Sequence, residues 1–292
     1  MRIKNEFMAV LVWAVLSLRP LECGAALQID APTTEWITVR YPGTNQVDYF
    51  NDQQTGRPEA DIVGNSTHAS FYLKFDNGNT SSTTDGTLAF RIRLGSDLPQ
   101  AGSFGSVLFI GVDGNNDGAL DLMLGADQAS TTPTIKIWDA GGGLNVSPNS
   151  TSITVPINQK TYLETSANYH FAQISLTLDP VASSFDLDSD GTTDHFLSFA
   201  LPFADLVSEL SRLASISVDD TSLFRFVAAT SSQDNAINAD LNGLPTDYDS
   251  NLNWLQLQAM SEVTGLPEPG TVALLITGLA FAALRYRARG RS

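Results

Sequence analysis

The stretch Thr87–Leu94 alternates with a period of two. Leu88, Phe90, Ile92 and Leu94 share one face, and Arg91 and Arg93 point the other way. This pattern predicts a strand with one side in a core and the other facing out. Similar short segments recur along the chain. Trp36–Tyr41, Ser70–Phe75, Val107–Val112, Leu120–Leu124, Ile135–Trp138, Ser152–Ile157, His170–Leu178, Phe196–Ala200, Leu223–Ala229 and Trp254–Met260 are rich in β-branched, aromatic and aliphatic residues. Turn-forming clusters such as Asp76-Asn77-Gly78-Asn79 and Gly141-Gly142-Gly143 separate them. Charged residues make up 16% of the chain, well under the usual quarter or so, and Ser, Thr, Asn, Asp and Gly fill the difference. Many short strands with regular polar turns predict a mainly β body, a β-sandwich or jelly roll. One helix is expected, Pro202–Leu213, with Phe203, Leu206, Val207, Leu210 and Leu213 on one stripe. The polar stretch Asp234–Asn253 reads as a long loop.

The chain has 292 residues and a net charge of −16. The ends are basic on balance, so the residues between them are more acidic still. Such a surface repels a phosphate backbone, and nucleic acid is excluded as a partner. The one cysteine, Cys23, lies before the body, which therefore has no thiol for a disulfide, a zinc cluster or a nucleophile.

The two ends have their own grammar. Arg2 and Lys4 precede the apolar run Phe7–Leu18, and Ala25 and Ala26 offer small residues for cleavage. The run falls short of the ~20 residues that span a bilayer, so residues 1–26 read as a signal peptide in helical form. At the other end, residues 267–292 hold Pro267, Glu268 and Pro269, an apolar helical run over 271–284, and arginines 285, 287, 289 and 291. The prolines keep the chain extended ahead of the run. The arginines stay on the cytoplasmic side of a transmembrane helix. This order resembles the PEP-CTERM sorting signal. The resemblance implies an exosortase-type processing enzyme as partner, in a Gram-negative bacterium that makes exopolysaccharide. It also implies a precursor held transiently in the inner membrane and then sent to the cell surface or extracellular matrix. The body between is one domain, residues 27–266.

Two segments of the body share a spacing. Asp113, Asn115, Asp117 and Asp121 stand at positions 1, 3, 5 and 9 of one loop, and Asp186, Asp188, Asp190 and Asp194 stand there in the other, each with Gly at position 6. Oxygen side chains at alternate positions of a tight loop converge on a point, and the carbonyls of Ala119 and Thr192 at position 7 can join them. Calcium takes six to eight such oxygens. The loops resemble DxDxDG calcium loops, though Leu124 and Leu197 replace the closing Glu of an EF-hand. Flanking strands make them more similar to the loops of FG-GAP and thrombospondin type 3 repeats. The resemblance implies structural calcium.

No catalytic arrangement stands out. His68, His170 and His195 are the histidines, and His170 lies within a strand pattern. Ser and Asp are too common for a triad to mean anything on paper. Trp36, Trp138 and Trp254 read as core residues before sugar-stacking platforms. The expectation is a non-enzymatic, calcium-stabilised surface protein. A carbohydrate-binding module for exopolysaccharide and a secreted hydrolase are the alternatives.

Overall fold

The computed structural model describes residues 27–43, 47–98, 102–154 and 160–267. The expected signal peptide with Ala25 and Ala26, the motif residues Glu268 and Pro269, the apolar run 271–284 and the basic end 285–292 lie outside the described residues. Among the described residues, no helix is long and apolar enough to cross a membrane.

Within these bounds the protein is mainly β. The strands are β1 (Ile37–Thr38), β2 (Phe71–Asp76), β3 (Thr87–Leu94), β4 (Val107–Asp113), β5 (Leu122–Asp127), β6 (Thr134–Asp139), β7 (Thr161–Leu163), β8 (Tyr169–Gln173), β9 (His195–Pro202), β10 (Leu223–Ser231), β11 (Asp240–Leu241) and β12 (Thr264–Gly265). They form two antiparallel sheets. The first runs β1-β2-β3-β9-β8. The second runs β11-β10-β4-β5-β6-β7, and β12 also pairs with β10. The helices are α1 (Phe203–Ala214) and the single turn α2 (Trp254–Leu257).

Alternation explains how the sheets meet. Phe71, Leu73, Leu88, Phe90, Ile92, Leu197 and Phe199 of the first sheet share one core with Leu108, Ile110, Leu122, Leu124, Phe224 and Phe226 of the second. Rings interlock between the sheets. Phe226 meets Phe90 edge-on at 5.5 Å and Phe71 at 6.2 Å, spacings typical of aromatic pairs. Helix α1 closes one end of this core through Phe203, Leu206 and Leu210, with Phe203 edge-on to Phe75 at 5.2 Å.

The outer faces are covered too. On the first sheet, Ile29, Trp36, Ile174 and Leu178 lie over Tyr72, Ala89 and Phe196. On the second, Leu241, Leu244, Trp254, Ala259 and Met260 lie over Val107, Phe109, Met123 and Trp138. This layering corrects the reading of Arg91 and Arg93. They do leave the inner core face, but both are fully buried. Arg91 donates to Ser198 Oγ at 2.8 Å and to the carbonyl of Ile29 at 2.7 Å. Its guanidinium lies 4.3 Å over the Trp36 ring, pinning the 27–36 segment to the sheet.

Other boundaries also shift. Trp36–Tyr41 keeps only the two residues of β1 as strand, with an isolated bridge near its end. Trp254–Met260 is a helical turn instead of a strand, because Asn253 and Gln256 form a reciprocal capping box. Ser152–Ile157 is reduced to one bridge, Asp139 with Thr154, and its last three residues lie outside the described ones. Pro202 caps the helix N-terminus and is not its first residue. The expected loop Asp234–Asn253 contains β11 and buries Ala239, Leu241 and Leu244.

Candidate metal centre

The two Asp-rich loops sit at opposite ends of the molecule. Loop 113–121 links β4 to β5 at the α1 end, and a Cβ at Gly114 would lie 3.2 Å from Leu210 of that helix. Loop 186–194 leads into β9, whose far end is where α1 begins.

Their backbones fold alike. Asn116 and Ser189, both at position 4, have φ of 63° and 60°, and Gly118 and Gly191, both at position 6, have φ of 87° and 91°. Left-handed backbone is cheap for Gly and tolerated by Asn; Ser189 adopts it at position 4 without that advantage. The same bonds recur. The position-1 carboxylate accepts from the position-6 amide, Gly118 to Asp113 at 2.9 Å and Gly191 to Asp186 at 3.2 Å. The position-3 oxygen accepts from the position-5 amide, Asp117 to Asn115 at 3.0 Å and Asp190 to Asp188 at 3.3 Å. The position-5 carboxylate accepts from the position-7 amide, Ala119 to Asp117 at 2.9 Å and Thr192 to Asp190 at 2.7 Å. The position-9 carboxylate accepts from the position-2 amide, Gly114 to Asp121 at 2.8 Å and Leu187 to Asp194 at 3.3 Å.

Side chains separate the two. Asp186, Asp188 and Asp194 each place an oxygen within 4.8 Å of the others. That is about twice a 2.3–2.6 Å calcium–oxygen bond, the width of one coordination shell. Asp186 Oδ1 is buried without a hydrogen-bond partner. Burial is the first cause that pushes Asp188 up to about 7 and Asp194 up to about 6, with neighbouring carboxylates adding to it. An orphaned oxygen among crowded carboxylates, with no soft ligand nearby, fits a hard cation. The buried Arg93 supplies part of the counter-charge, donating to Asp194 Oδ2 at 2.7 Å.

In loop 113–121, Asp113, Asp117 and Asp121 are not among the groups that gather this closely. Asn115 turns its amide onto Asp117 Oδ2 at 3.0 Å, and Asn116 donates to the carbonyl of Leu223 at 2.8 Å. This loop ties β4–β5 to the start of β10. Burial raises Asp121 to about 6.

Pro267, the described residue of the expected sorting motif, lies two residues beyond β12, which pairs with Leu223 and Phe224 of β10. Trp36, Trp138 and Trp254 are all buried, so none offers a sugar platform.

Sequence reasoning missed two groupings. Asp52, Asp61 and Asp240 also gather within 4.8 Å; Asp240 comes from too far along the chain for any spacing to signal the group. His68 and Ser183 meet through Nε2 and Oγ at 2.8 Å, with Asp179 Oδ2 3.8 Å from His68 Nδ1. His68 and Asp179 are buried, and Ser183 is exposed. Burial is the first cause lowering the His68 pKa, and Arg93 lowers it further. Among known proteins, no family model, no curated protein and no solved structure matches this chain.

Proposed function

We propose that this chain is an exported, non-catalytic β-sandwich surface protein that holds structural calcium in the loop 186–194. In this reading residues 1–26 export it, and residues 267–292 present it to an exosortase-type enzyme at the inner membrane before release to the cell surface or matrix. The observation that carries the calcium assignment is the convergence of Asp186, Asp188 and Asp194 around an unpartnered, buried Asp186 oxygen. Asp190 and the Thr192 carbonyl are the remaining loop ligands in this proposal. A cation there would relieve the crowding of carboxylates and lock the entry to β9. Asp113, Asn115, Asp117, Ala119 and Asp121 share the backbone form. Their geometry favours a self-satisfied turn, so the calcium assignment is weighted to the second loop.

The architecture gives the sorting proposal a direction. Strand β12 docks beside Leu223 and Phe224, next to loop 113–121, so Pro267 lies toward the α1 end. The loop 186–194 end would then face away from the membrane. Mass spectrometry of the surface form in a host with the matching exosortase tests the sorting reading. A C-terminus close to residues 267–269 supports it, and a form still ending at Ser292 overturns it.

A second reading, a secreted hydrolase, is favoured by the Ser183–His68 contact alone. It ranks below the first because Asp179 is already shared. Asp179 accepts from Thr33 Oγ1 at 2.9 Å and lies 3.7 Å from Arg93, so it does not orient His68 by a direct hydrogen bond. Ester hydrolysis abolished by Ser183→Ala would promote this reading; no turnover, or turnover unchanged in Ser183→Ala, would end it.

A further inference from the structure

Asp48, Asp52, Asp61 and Asp240 form a second carboxylate cluster outside both loops. Backbone amides aim them. Asp61 Oδ2 accepts from Asn51 at 2.8 Å, and its Oδ1 accepts from Asp52 and Gln53 at 3.1 Å each. Asp240 Oδ2 accepts from Ile62 at 2.6 Å, and its Oδ1 from Leu241 at 2.7 Å. Asp48 Oδ1 accepts from Gly243 at 2.6 Å. One oxygen each from Asp52, Asp61 and Asp240 lies within 4.8 Å of the others.

Asp48 points to a missing partner. The residue is 2% exposed, its Oδ2 is buried with no hydrogen bond, and its strongest charged neighbour is Asp240, followed by Asp52 and Asp61. Asp52 Oδ1 is buried and unpartnered as well. Among the described residues, no lysine, arginine or histidine makes an ion pair with any of the four. Buried carboxylates in contact with one another are tolerated only when something neutralises them.

We propose that Asp52, Asp61 and Asp240, with the buried Asp48 beside Asp240, bind a second calcium ion, one that clamps the two sheets together. The donors are all carboxylate oxygens, which selects a hard cation. Calcium accepts irregular sets of six to eight oxygens, whereas magnesium demands a near-ideal octahedron and keeps several waters, so a buried, irregular carboxylate set suits calcium. The position gives the ion a mechanical task. Asp240 opens β11 on the second sheet, where it pairs with Thr230. Asp61 precedes Ile62, which bridges to Leu94 at the end of β3 in the first sheet. Asp61 also feels the charge of Asp190, so this site adjoins the loop 186–194 at the same end of the molecule.

The test uses the full-length protein with calcium chloride as the only ligand. Bound calcium is counted by native mass spectrometry and calorimetry in the wild type, Asp48→Asn, Asp240→Asn and Asp188→Asn. Asn keeps the shape and removes a repelling charge. At Asp48 a single oxygen accepts a backbone amide and Asn preserves that bond, whereas at Asp240 both oxygens accept and Asn loses one, so Asp240→Asn is read on its calcium count alone. Asp48→Asn and Asp240→Asn should each lose one calcium equivalent that Asp188→Asn keeps. In chelator, Asp48→Asn should melt above the wild type, and in calcium below it. Unchanged stoichiometry in Asp48→Asn and Asp240→Asn overturns the proposal. So does a melting shift of the same sign with and without calcium, since that would mean protons neutralise the cluster. Loss confined to Asp188→Asn leaves the loop reading standing and this one fallen; loss confined to the other two variants does the reverse.

Discussion

Loops 113–121 and 186–194 have the same turn and different contents. Both pass through left-handed backbone at positions 4 and 6, and four side-chain-to-backbone bonds recur in each. At position 3, one carries Asn115 and the other Asp188. The surroundings differ as well. Loop 113–121 backs onto apolar side chains, with Leu210 near Gly114 and Leu255 near Gly118. Loop 186–194 faces polar groups: Asp188 lies against Gly95, and Thr192 Oγ1 reaches Ser96 Oγ at 3.1 Å. The difference teaches that the DxDxDG spacing specifies a turn by satisfying its own amides. Capacity for a cation depends on an additional carboxylate and on neighbours that leave oxygens unsatisfied.

The largest expected break in this comparison comes from Arg93, which serves only the second loop. Arg93→Met strands Asp194 and Asp179 in a buried setting. Losing one partner of a buried pair costs about 3–5 kcal/mol, so urea unfolding should show a loss of that order. A loss below about 1 kcal/mol would mean that the pair is not what balances Asp194.

A reciprocal exchange sharpens the comparison. Asp188→Asn should remove the calcium response of the second loop, and Asn115→Asp should give the first loop one. At a hundredfold excess over the dissociation constant, a site contributes about 2.7 kcal/mol, which sets the scale of the shifts in thermal unfolding. If Asn115→Asp binds no additional calcium, the apolar backing of the first loop, and not its residue 115, decides.

Smaller effects are expected at position 6. Gly118→Ala and Gly191→Ala both place a Cβ on left-handed backbone, which costs about 1–2 kcal/mol. At Gly118 the new Cβ would meet Leu255 at 3.0 Å, while at Gly191 nothing lies within 4 Å. Denaturant titration should therefore rank Gly118→Ala as the more damaging of the two.

The pH response in chelator completes the series. Asp188 is raised to about 7, and Asp194 and Asp121 to about 6, from 3.8. A folded pKa above the unfolded one means that the fold prefers the protonated group. That contribution is complete below about pH 4 and is lost as pH rises through the folded values. The melting temperature of the metal-free protein should fall between about pH 4 and pH 7, and calcium should flatten the slope. A metal-free melting temperature that rises over this range would contradict the crowding argument.

Much of this was legible in the residues. Thr87–Leu94 announces β3 at its true bounds, and the apolar stripe after Pro202 announces α1, because each is long enough to show its period. Strands β7, β11 and β12 have two or three residues and no period to read. Alternation gives the face on which Arg91 and Arg93 stand. It says nothing of the layer above, which comes from Ile29, Trp36 and Ile174 far along the chain. The turn at Trp254 carried a readable sign in Asn253 and Gln256, outweighed by a run of apolar residues. The loops were visible because their Asp/Gly spacing is local. In the Asp48–Asp240 cluster, Asp48, Asp52 and Asp61 share one segment with no regular spacing and Asp240 joins from far along the chain, and the His68–Ser183 contact joins distant stretches, so neither can be read locally.

The most direct test of the central claim compares calcium binding by Asp186→Asn and Asp113→Asn in the full-length protein. Each substitution alters position 1 of its loop. Asp113 holds two loop amides through its two oxygens and Asp186 holds one, so the comparison is read on calcium counts and calcium-dependent shifts and not on absolute stability. The account predicts that Asp186→Asn loses one bound calcium and the melting shift that accompanies it, while Asp113→Asn keeps both. Equal losses in the two variants, or a wild type whose melting temperature ignores chelation, would contradict it.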